Sequence, residues 1–156
     1  MTTIAVNNDM MCADSLCTDN GARSVVQKIY QVDDVIIGFA GDMSQGLMFI
    51  EWYRSKGQDE YPFDDNFEAV VLERDGSIYS YDSGLMPIKM EHEYYAIGSG
   101  KHAATAAMIL GCNPIEAVEI AKRVDVCSDG ELQVIKIADL PKPRRKKASK
   151  KKRKKK

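Results

Sequence analysis

The sequence predicts an α+β fold, because its strand-like and helix-like segments come in separate runs and not in β-α-β alternation. Four strand-like pieces are followed by one helix-like segment, then by a hairpin and a short strand, and finally by two helices and a last strand. The 156 residues are 44% hydrophobic, which is ordinary for one globular domain. We therefore expect layers of sheet and helix around a shared core.

The first strands are predicted from apolar runs that flank polar turns. Residues 3–6 and 10–13 are mostly apolar and enclose Asn7-Asn8-Asp9, which is typical of a β-hairpin. A short strand is expected from Lys28 to Tyr30. The continuous apolar run from Val35 to Ala40 is typical of a strand buried on both faces.

One helix and one hairpin are predicted in the middle of the chain. The segment MSQGLMFIEWYRSKG indicates a helix that ends at Gly57. Its apolar residues on or near one face are Met43, Leu47, Ile50 and Trp52. The following EAVVLERDGSIYSYD indicates a hairpin closed around Asp75-Gly76.

The last elements carry clear start and stop signals. A strand at residues 94–97 runs into Gly-Ser-Gly, and an alanine-rich helix is expected over residues 101–110. Asn113, Pro114 and Glu116 form the start of a second helix with a capping-box pattern. A closing strand is expected over residues 132–138.

Charge divides the chain into two parts. Twelve of the 22 basic residues lie between Lys142 and Lys156, so residues 1–141 carry 10 basic and 23 acidic side chains, a net charge of −13. The end of the chain, KPRRKKASKKKRKKK, has too few apolar residues to form a core. We expect a folded domain over residues 1–140 and a disordered basic tail over residues 141–156.

The cellular compartment and the expectation of no cofactor are inferred from motifs that the sequence lacks. Residues 1–20 have no basic start and no continuous apolar stretch, so we expect no signal peptide, no membrane span and a cytoplasmic protein. The four cysteines form no C-x-x-C pair, and neither histidine is near them in sequence. We therefore expect no metal site, no cofactor, and free, mostly buried thiols at Cys12, Cys17, Cys112 and Cys127.

Thr2 and Thr3, directly after the initiator methionine, allow two interpretations. They are good β-formers at a strand start. Methionine is also normally removed before a small residue, and Thr2 would then carry a hydroxyl and a free α-amine. Such an amine titrates at about 7.7 to 8.0 and can act as general base for its own hydroxyl.

Five motifs favour the second interpretation, because they follow in order the motif series of a known peptidase family. They are TTIAV, ADS at 13–15, QKIYQVDDVIIGFAG at 27–41, AIGSG at 96–100 and VDVCSDG at 124–130. The chain resembles proteasome β-type subunits and the bacterial HslV-like peptidases over residues 2–138. The resemblance implies a four-layer αββα sandwich of the N-terminal-nucleophile hydrolase type.

The same resemblance implies a set of site residues. Thr2 matches the family's nucleophile, Asp14 its acidic partner, and Lys28 the lysine whose charge would lower the pKa of the Thr2 amine. Gly41 matches the glycine whose N–H helps to bind the oxyanion. The polar groups expected to support the threonine terminus are Ser99, Asp125 and Ser128.

Three features depart from the family pattern. Asp42 and Asp129 stand where small residues are usual, and Asp42 would place a carboxylate beside the oxyanion donor. That charge is expected to disfavour the oxyanion or to favour basic substrate side chains. The chain is also shorter than the typical peptidase between the first helix and EAVVLE, so ring contacts are expected to differ.

Two functional hypotheses follow. In the first, the chain is a threonine-type peptidase that cleaves peptides or unfolded protein, in a homo-oligomeric ring fed by a separate ATP-driven unfoldase. In the second, the domain is a catalytically silent scaffold, and residues 142–156 bind nucleic acid or an acidic partner through salt-dependent contacts.

Overall fold

The computed structural model describes residues 2–142, and the rest of the basic tail lies outside the described residues. The elements within that range begin with β1 (Thr3–Asn7), β2 (Met10–Ala13), β3 (Leu16–Asp19), β4 (Ala22–Val25), β5 (Ile29–Val32), β6 (Val35–Gly41) and α1 (Met43–Arg54). They continue with β7 (Phe67–Leu72), β8 (Ile78–Tyr81), β9 (Ile88–Lys89), β10 (Tyr94–Gly98), α2 (Lys101–Ile109), α3 (Pro114–Val124) and β11 (Gln133–Lys136). None of the helices in residues 2–142 is long and apolar enough to cross a membrane.

Two antiparallel sheets stack face to face. The first has the strand order β10-β1-β2-β11, and the second has the order β5-β6-β7-β8-β9. Side chains from both sheets, including Ile4, Met11, Ile36 and Val70, form one buried cluster between them. The strands β3 and β4 form a separate two-stranded hairpin.

Helices cover the outer face of each sheet. Ala104, Ala117 and Ala121 of α2 and α3 pack against Ala5 and Cys12 of the first sheet. Phe49 and Ile50 of α1 pack, with other residues, on the second sheet. The order of layers is therefore helix, sheet, sheet, helix, and the predicted α+β fold with an αββα sandwich is confirmed.

Most predicted elements are present. The first hairpin is confirmed, every residue of β6 from Val35 to Ala40 is buried, and Asn113 and Glu116 form the predicted capping box of α3. The last strand is shorter than expected, because a 3-10 turn begins at Ile137. The β3–β4 hairpin was not predicted.

Two predictions were correct only in part. α1 ends at Arg54, before Gly57, and Met43, Ile50 and Trp52 pack on the second sheet as predicted, whereas Leu47 is 47% exposed. All four cysteines are free as expected, but only Cys12 is buried, and burial raises its pKa to about 12. Cys17, Cys112 and Cys127 are only partly buried, so the expectation of mostly buried thiols is met by Cys12 alone.

Gly46 determines which face of α1 turns inward. A methyl group at this position would come within 2.0 Å of the Phe39 ring, so the helix lies directly against the side chain of β6. Phe39 in turn stacks on Tyr30 of β5, with ring centroids 5.6 Å apart. This close contact buries Gly46 and leaves the neighbouring Leu47 at the surface.

Gly46→Ala is expected to destabilise the fold by about 1–3 kcal/mol, because the added methyl group must displace the Phe39 ring or the helix. Helix propensity alone would favour alanine by about 1 kcal/mol, so the sign of the change separates the two effects. Urea unfolding measures the change in the free energy of unfolding, with the exposed Leu47→Ala as control. A stabilised Gly46→Ala variant would contradict this packing.

Candidate active site

The two threonines begin the central strand of the first sheet. Thr2 is 4% exposed and Thr3 is fully buried, and β1 is paired on both sides, by β10 and β2. Gly98 of β10 lies opposite Thr3 and has a φ of +90°. A side chain at Gly98 would begin 2.0 Å from the Thr2 carbonyl oxygen, so only glycine allows this approach.

The carboxylate of Asp14, directly after β2, is the polar centre of the site. Its Oδ1 accepts hydrogen bonds from the Thr3 N–H and from Lys28 Nζ, both at 2.9 Å. Its Oδ2 accepts from the N–H groups of Leu16 at 3.2 Å and Asp129 at 3.1 Å. The side chain is 0% exposed, so four donors replace the water that an ionised carboxylate would otherwise require.

Lys28 is buried as deeply as its partner. Its side chain is 2% exposed and also donates to the Leu16 carbonyl at 2.6 Å. Burial lowers the pKa of Lys28, and the hydrogen bond to Asp14 opposes that change. The backbone N–H of Lys28 donates to Gln133 Oε1 at 2.8 Å, which anchors the start of β5 to β11 of the other sheet.

A second polar network supports the threonines from the α3 side. Asp125 Oδ2 accepts hydrogen bonds from Ser128 Oγ at 2.5 Å and from Ser99 Oγ at 2.6 Å. Since the Ser128 proton points to Asp125, Thr3 Oγ1 donates to Ser128 Oγ at 2.6 Å. Ser99 Oγ also lies 3.3 Å from the Thr2 carbonyl. Burial alone would raise the pKa of Asp125, but the bonds from Ser128 and Ser99 hold it below its ordinary value.

Gly41 and Thr2 line the same cleft. Gly41 ends β6 with a φ of +101°, and a side chain there would overlap the Asn66 carbonyl oxygen, at 1.8 Å. The cleft has a volume of about 650 Å³. Its remaining lining residues are Ala40, Asp42, Asp65, Asn66, Phe67, Glu68, Gly98, Ser99 and Lys101. The structure therefore brings the predicted nucleophile and the predicted oxyanion donor to one opening.

Asp42 has a local structural role that the resemblance to the family did not suggest. Its Oδ1 accepts from Ser44 N at 2.8 Å and Gln45 N at 3.1 Å, so it is the N-cap of α1. Hydrogen bonds from Ser44 and Gln45 lower the pKa of Asp42. The positive end of the helix thus offsets part of its charge beside Gly41.

Asp129, the other departure, points to the surface. Its carboxylate pairs with Arg23 at 2.5 Å, and both side chains are more than half exposed. Its backbone belongs to the site, because its N–H bonds Asp14 and its carbonyl accepts from Ser15 and Leu16. A side chain is tolerated here because only the backbone faces inward.

Glu68 and Lys101 are cleft residues that the motifs missed. Glu68 Oε1 accepts from Lys101 Nζ at 2.9 Å, and Glu68 Oε2 accepts from the Gly98 N–H at 3.1 Å. Lys101 follows the Gly-Ser-Gly segment directly, which was a usable signal. Glu68 carries no such signal, because only the folded chain brings β7 to the end of β10.

A second cleft, of about 610 Å³, lies elsewhere and contains none of the predicted site residues. Asp33, Asp34, Trp52, Tyr53 and Glu73 are among its lining residues. The Thr2 cleft is the better candidate for chemistry, because it is lined by a threonine whose neighbour Thr3 is bonded to a buried ion pair. In residues 2–142 there is no group of three or more His, Cys, Asp or Glu placed to hold a metal ion.

Several solved structures share this architecture. The chain matches Thiobacillus denitrificans BPH, both alone and in complex with epoxomicin, with a TM-score of 0.65 at 15–16% identity over 87% of this chain and 97–98% of that one. It matches eukaryotic HslV from Trypanosoma brucei with a TM-score of 0.65 at 22% identity, over 86% and 97% of the two chains. The chain shares the fold of these proteins. No family model and no curated protein sequence matches it.

Asp14→Ala is expected to destabilise the fold by about 3–5 kcal/mol, because it leaves the Lys28 ammonium buried without its carboxylate. Lys28→Met should cost less, since Asp14 retains three backbone N–H donors. Denaturant unfolding of both variants measures the order. Arg54→Met, in an exposed pair with Glu51, is the control and should change stability by less than about 1 kcal/mol. A larger loss of stability for Lys28→Met than for Asp14→Ala would contradict this arrangement.

Asp125 is expected to make the free energy of unfolding depend on pH in the acidic range. Its folded-state pKa lies below the unfolded value of about 3.9, so its contribution is present above that pH and is lost as pH falls through the folded value. The stability difference between the wild type and Asp125→Asn should therefore shrink as pH falls from 6 to 3. Urea unfolding across that range tests it, with exposed Asp59→Asn for comparison. A difference independent of pH would contradict the assigned charge.

Proposed function

We propose that the chain is a threonine-type peptidase subunit whose nucleophile is Thr2, exposed by removal of Met1. One observation carries the proposal: the buried Asp14–Lys28 pair lies directly beneath the first strand residues, where Thr2 opens into a cleft shared with Gly41. Oxygen Oδ1 of Asp14 bonds both the Thr3 N–H and the Lys28 ammonium, so the lysine charge is held next to the peptide that follows Thr2.

Catalysis would begin with the Thr2 α-amine as general base. The amine takes the proton from Thr2 Oγ1 as this oxygen attacks the carbonyl carbon of the scissile peptide bond. The nearby ammonium of Lys28 lowers the pKa of the amine, which increases its unprotonated fraction near neutral pH. The oxyanion of the tetrahedral intermediate would accept a hydrogen bond from the Gly41 N–H.

The second half of the reaction restores the enzyme. The intermediate collapses, its C–N bond breaks, and the leaving amine takes the proton held by the Thr2 amine. The acyl group remains as an ester on Thr2 Oγ1. A water molecule, deprotonated by the same amine, then attacks the ester, and the carboxylic acid leaves as the hydroxyl is restored.

Ser99, Asp125 and Ser128 act in this proposal as positioning residues. Ser99 contacts the Thr2 carbonyl, and Ser128 bonds Thr3 Oγ1, while Asp125 fixes both serine hydroxyls. Threonine is β-branched, so holding its backbone also restricts the direction of its hydroxyl. The network is thus suited to limit the freedom of the nucleophile without touching the reacting atoms.

The proposal extends to substrate and assembly. The BPH structure holds epoxomicin, and the fold is shared over nearly the whole of that chain, so we propose a peptide or unfolded-protein substrate. We also propose a homo-oligomeric ring, which a separate ATP-driven unfoldase would feed. Val25, Leu110 and Val126 are 79%, 85% and 91% exposed and are available for contacts between subunits.

Intact-mass spectrometry with and without a peptide epoxyketone tests the proposal. A chain without Met1 should gain one adduct, mapped to Thr2 by fragmentation. Thr2→Ala should gain none, and Lys28→Met should be labelled at least about 100-fold more slowly. Thr18→Ala, which removes an exposed threonine on β3, is the matched control and should label like the wild type.

Two outcomes would contradict the peptidase. A chain that loses Met1 and stays unlabelled lacks the proposed nucleophile. A chain that keeps Met1 has only a non-basic amide nitrogen at Thr2 and cannot use it as base. Either result would favour the silent scaffold, for which nucleic-acid binding through residues 142–156 should be strong and salt-dependent.

A further inference from the structure

Glu68 connects the two sheets at the edge of the Thr2 cleft. It lies on β7 opposite Ala40 of β6, next to the Gly41 end of that strand. Its carboxylate reaches across to the first sheet, where one oxygen accepts from the Gly98 N–H and the other from Lys101 Nζ. One side chain of the second sheet thus holds both ends of the Gly98–Lys101 segment.

That segment joins the end of β10 to the start of α2 and contacts the Thr2 peptide. Gly98 approaches the Thr2 carbonyl so closely that no side chain fits, and Ser99 Oγ lies 3.3 Å from the same oxygen. β10 pairs with β1 on one side only and is an edge strand of its sheet. The bond from the Gly98 N–H to Glu68 therefore lies on the side of β10 that has no strand partner and links its end to the other sheet.

We propose that Glu68 is a positioning residue for the Thr2 nucleophile, with Lys101 as its charged partner. The inference rests on the proposed function and adds a residue outside the family motif set. By fixing the Gly98 N–H and the first residue of α2, Glu68 holds the Thr2 carbonyl, and with it the Thr2 hydroxyl, at one distance from Gly41. Loss of the carboxylate would allow the Gly98–Lys101 segment and Thr2 to shift relative to the oxyanion donor.

The two oxygens of Glu68 make graded variants possible. Glu68→Ala removes both hydrogen bonds. Glu68→Gln keeps one acceptor oxygen but loses the charge that pairs with Lys101. Lys101→Met leaves the bond to Gly98 intact. The expected order of effect is Glu68→Ala, then Glu68→Gln, then Lys101→Met.

The kinetics of Thr2 labelling by the epoxyketone test the proposal. In Glu68→Ala the maximal labelling rate is expected to fall by about 10- to 100-fold, as a misplacement of about 1 Å does. The concentration for half-maximal rate should change little, because Glu68 acts on the nucleophile and not on inhibitor binding. Glu93→Gln, an exposed carboxylate just before the other end of β10, is the matched control.

Hydrogen exchange of the Gly98 amide, followed by NMR, gives a readout that needs no activity. Exchange should be faster in Glu68→Ala than in the wild type, and unchanged in Glu93→Gln. If the wild type is not labelled at all, the proposed function fails. Unchanged exchange of the Gly98 amide in Glu68→Ala would show that Glu68 does not hold Gly98, and would overturn the positioning role. Wild-type labelling rates in Glu68→Ala, or a change only in the half-maximal concentration, would overturn the positioning role.

Discussion

The structure around the candidate site depends on one buried carboxylate. Asp14 is fully buried and is surrounded by donors from β1, β3, the segment before β5 and the loop after α3. A buried charge is tolerated only when its hydrogen bonds and its counter-ion are all in place. These four segments must therefore reach their native positions together. The hydrogen bonds that hold the Asp14 carboxylate also fix the backbone around Thr2.

The sandwich brings this centre to an open cleft. Thr2 directly precedes β1 of the first sheet, and Gly41 ends β6 of the second. Gly98 lies too close to the Thr2 carbonyl, and Gly41 too close to the Asn66 carbonyl, for either to carry a side chain. Glu68 adds a direct bond between the two sheets at the same place. The packing of the layers, and not any local motif, thus sets the distance between the proposed nucleophile and the proposed oxyanion donor.

Sequence patterns predicted the features that depend on interactions between residues close together in the chain. The buried run of β6 and the Asn113–Glu116 capping box were evident because hydrophobic continuity and capping act within a few residues. The apolar face of α1 was predicted correctly except at Leu47, which lies at the surface because the tertiary contact between Gly46 and Phe39 turns Gly46 inward. The Asp14–Lys28 pair came from family resemblance, whereas Glu68 required the fold, because a single carboxylate on a strand carries no local signal for a bond to another sheet. The N-cap role of Asp42 was missed although its signal was local, since an aspartate directly precedes the predicted helix.

The arrangement of the backbone around Thr2 depends on Lys28 being a buried ammonium paired with Asp14. Titration of the Lys28 side chain by NMR, with 15N- and 13C-labelled lysine in the full chain, tests it most directly. We expect an ammonium at pH 7 whose protons exchange slowly and whose pKa lies below the ordinary value of 10.5. A neutral Lys28 amine at pH 7, or a rapidly exchanging ammonium with an ordinary pKa, would contradict it.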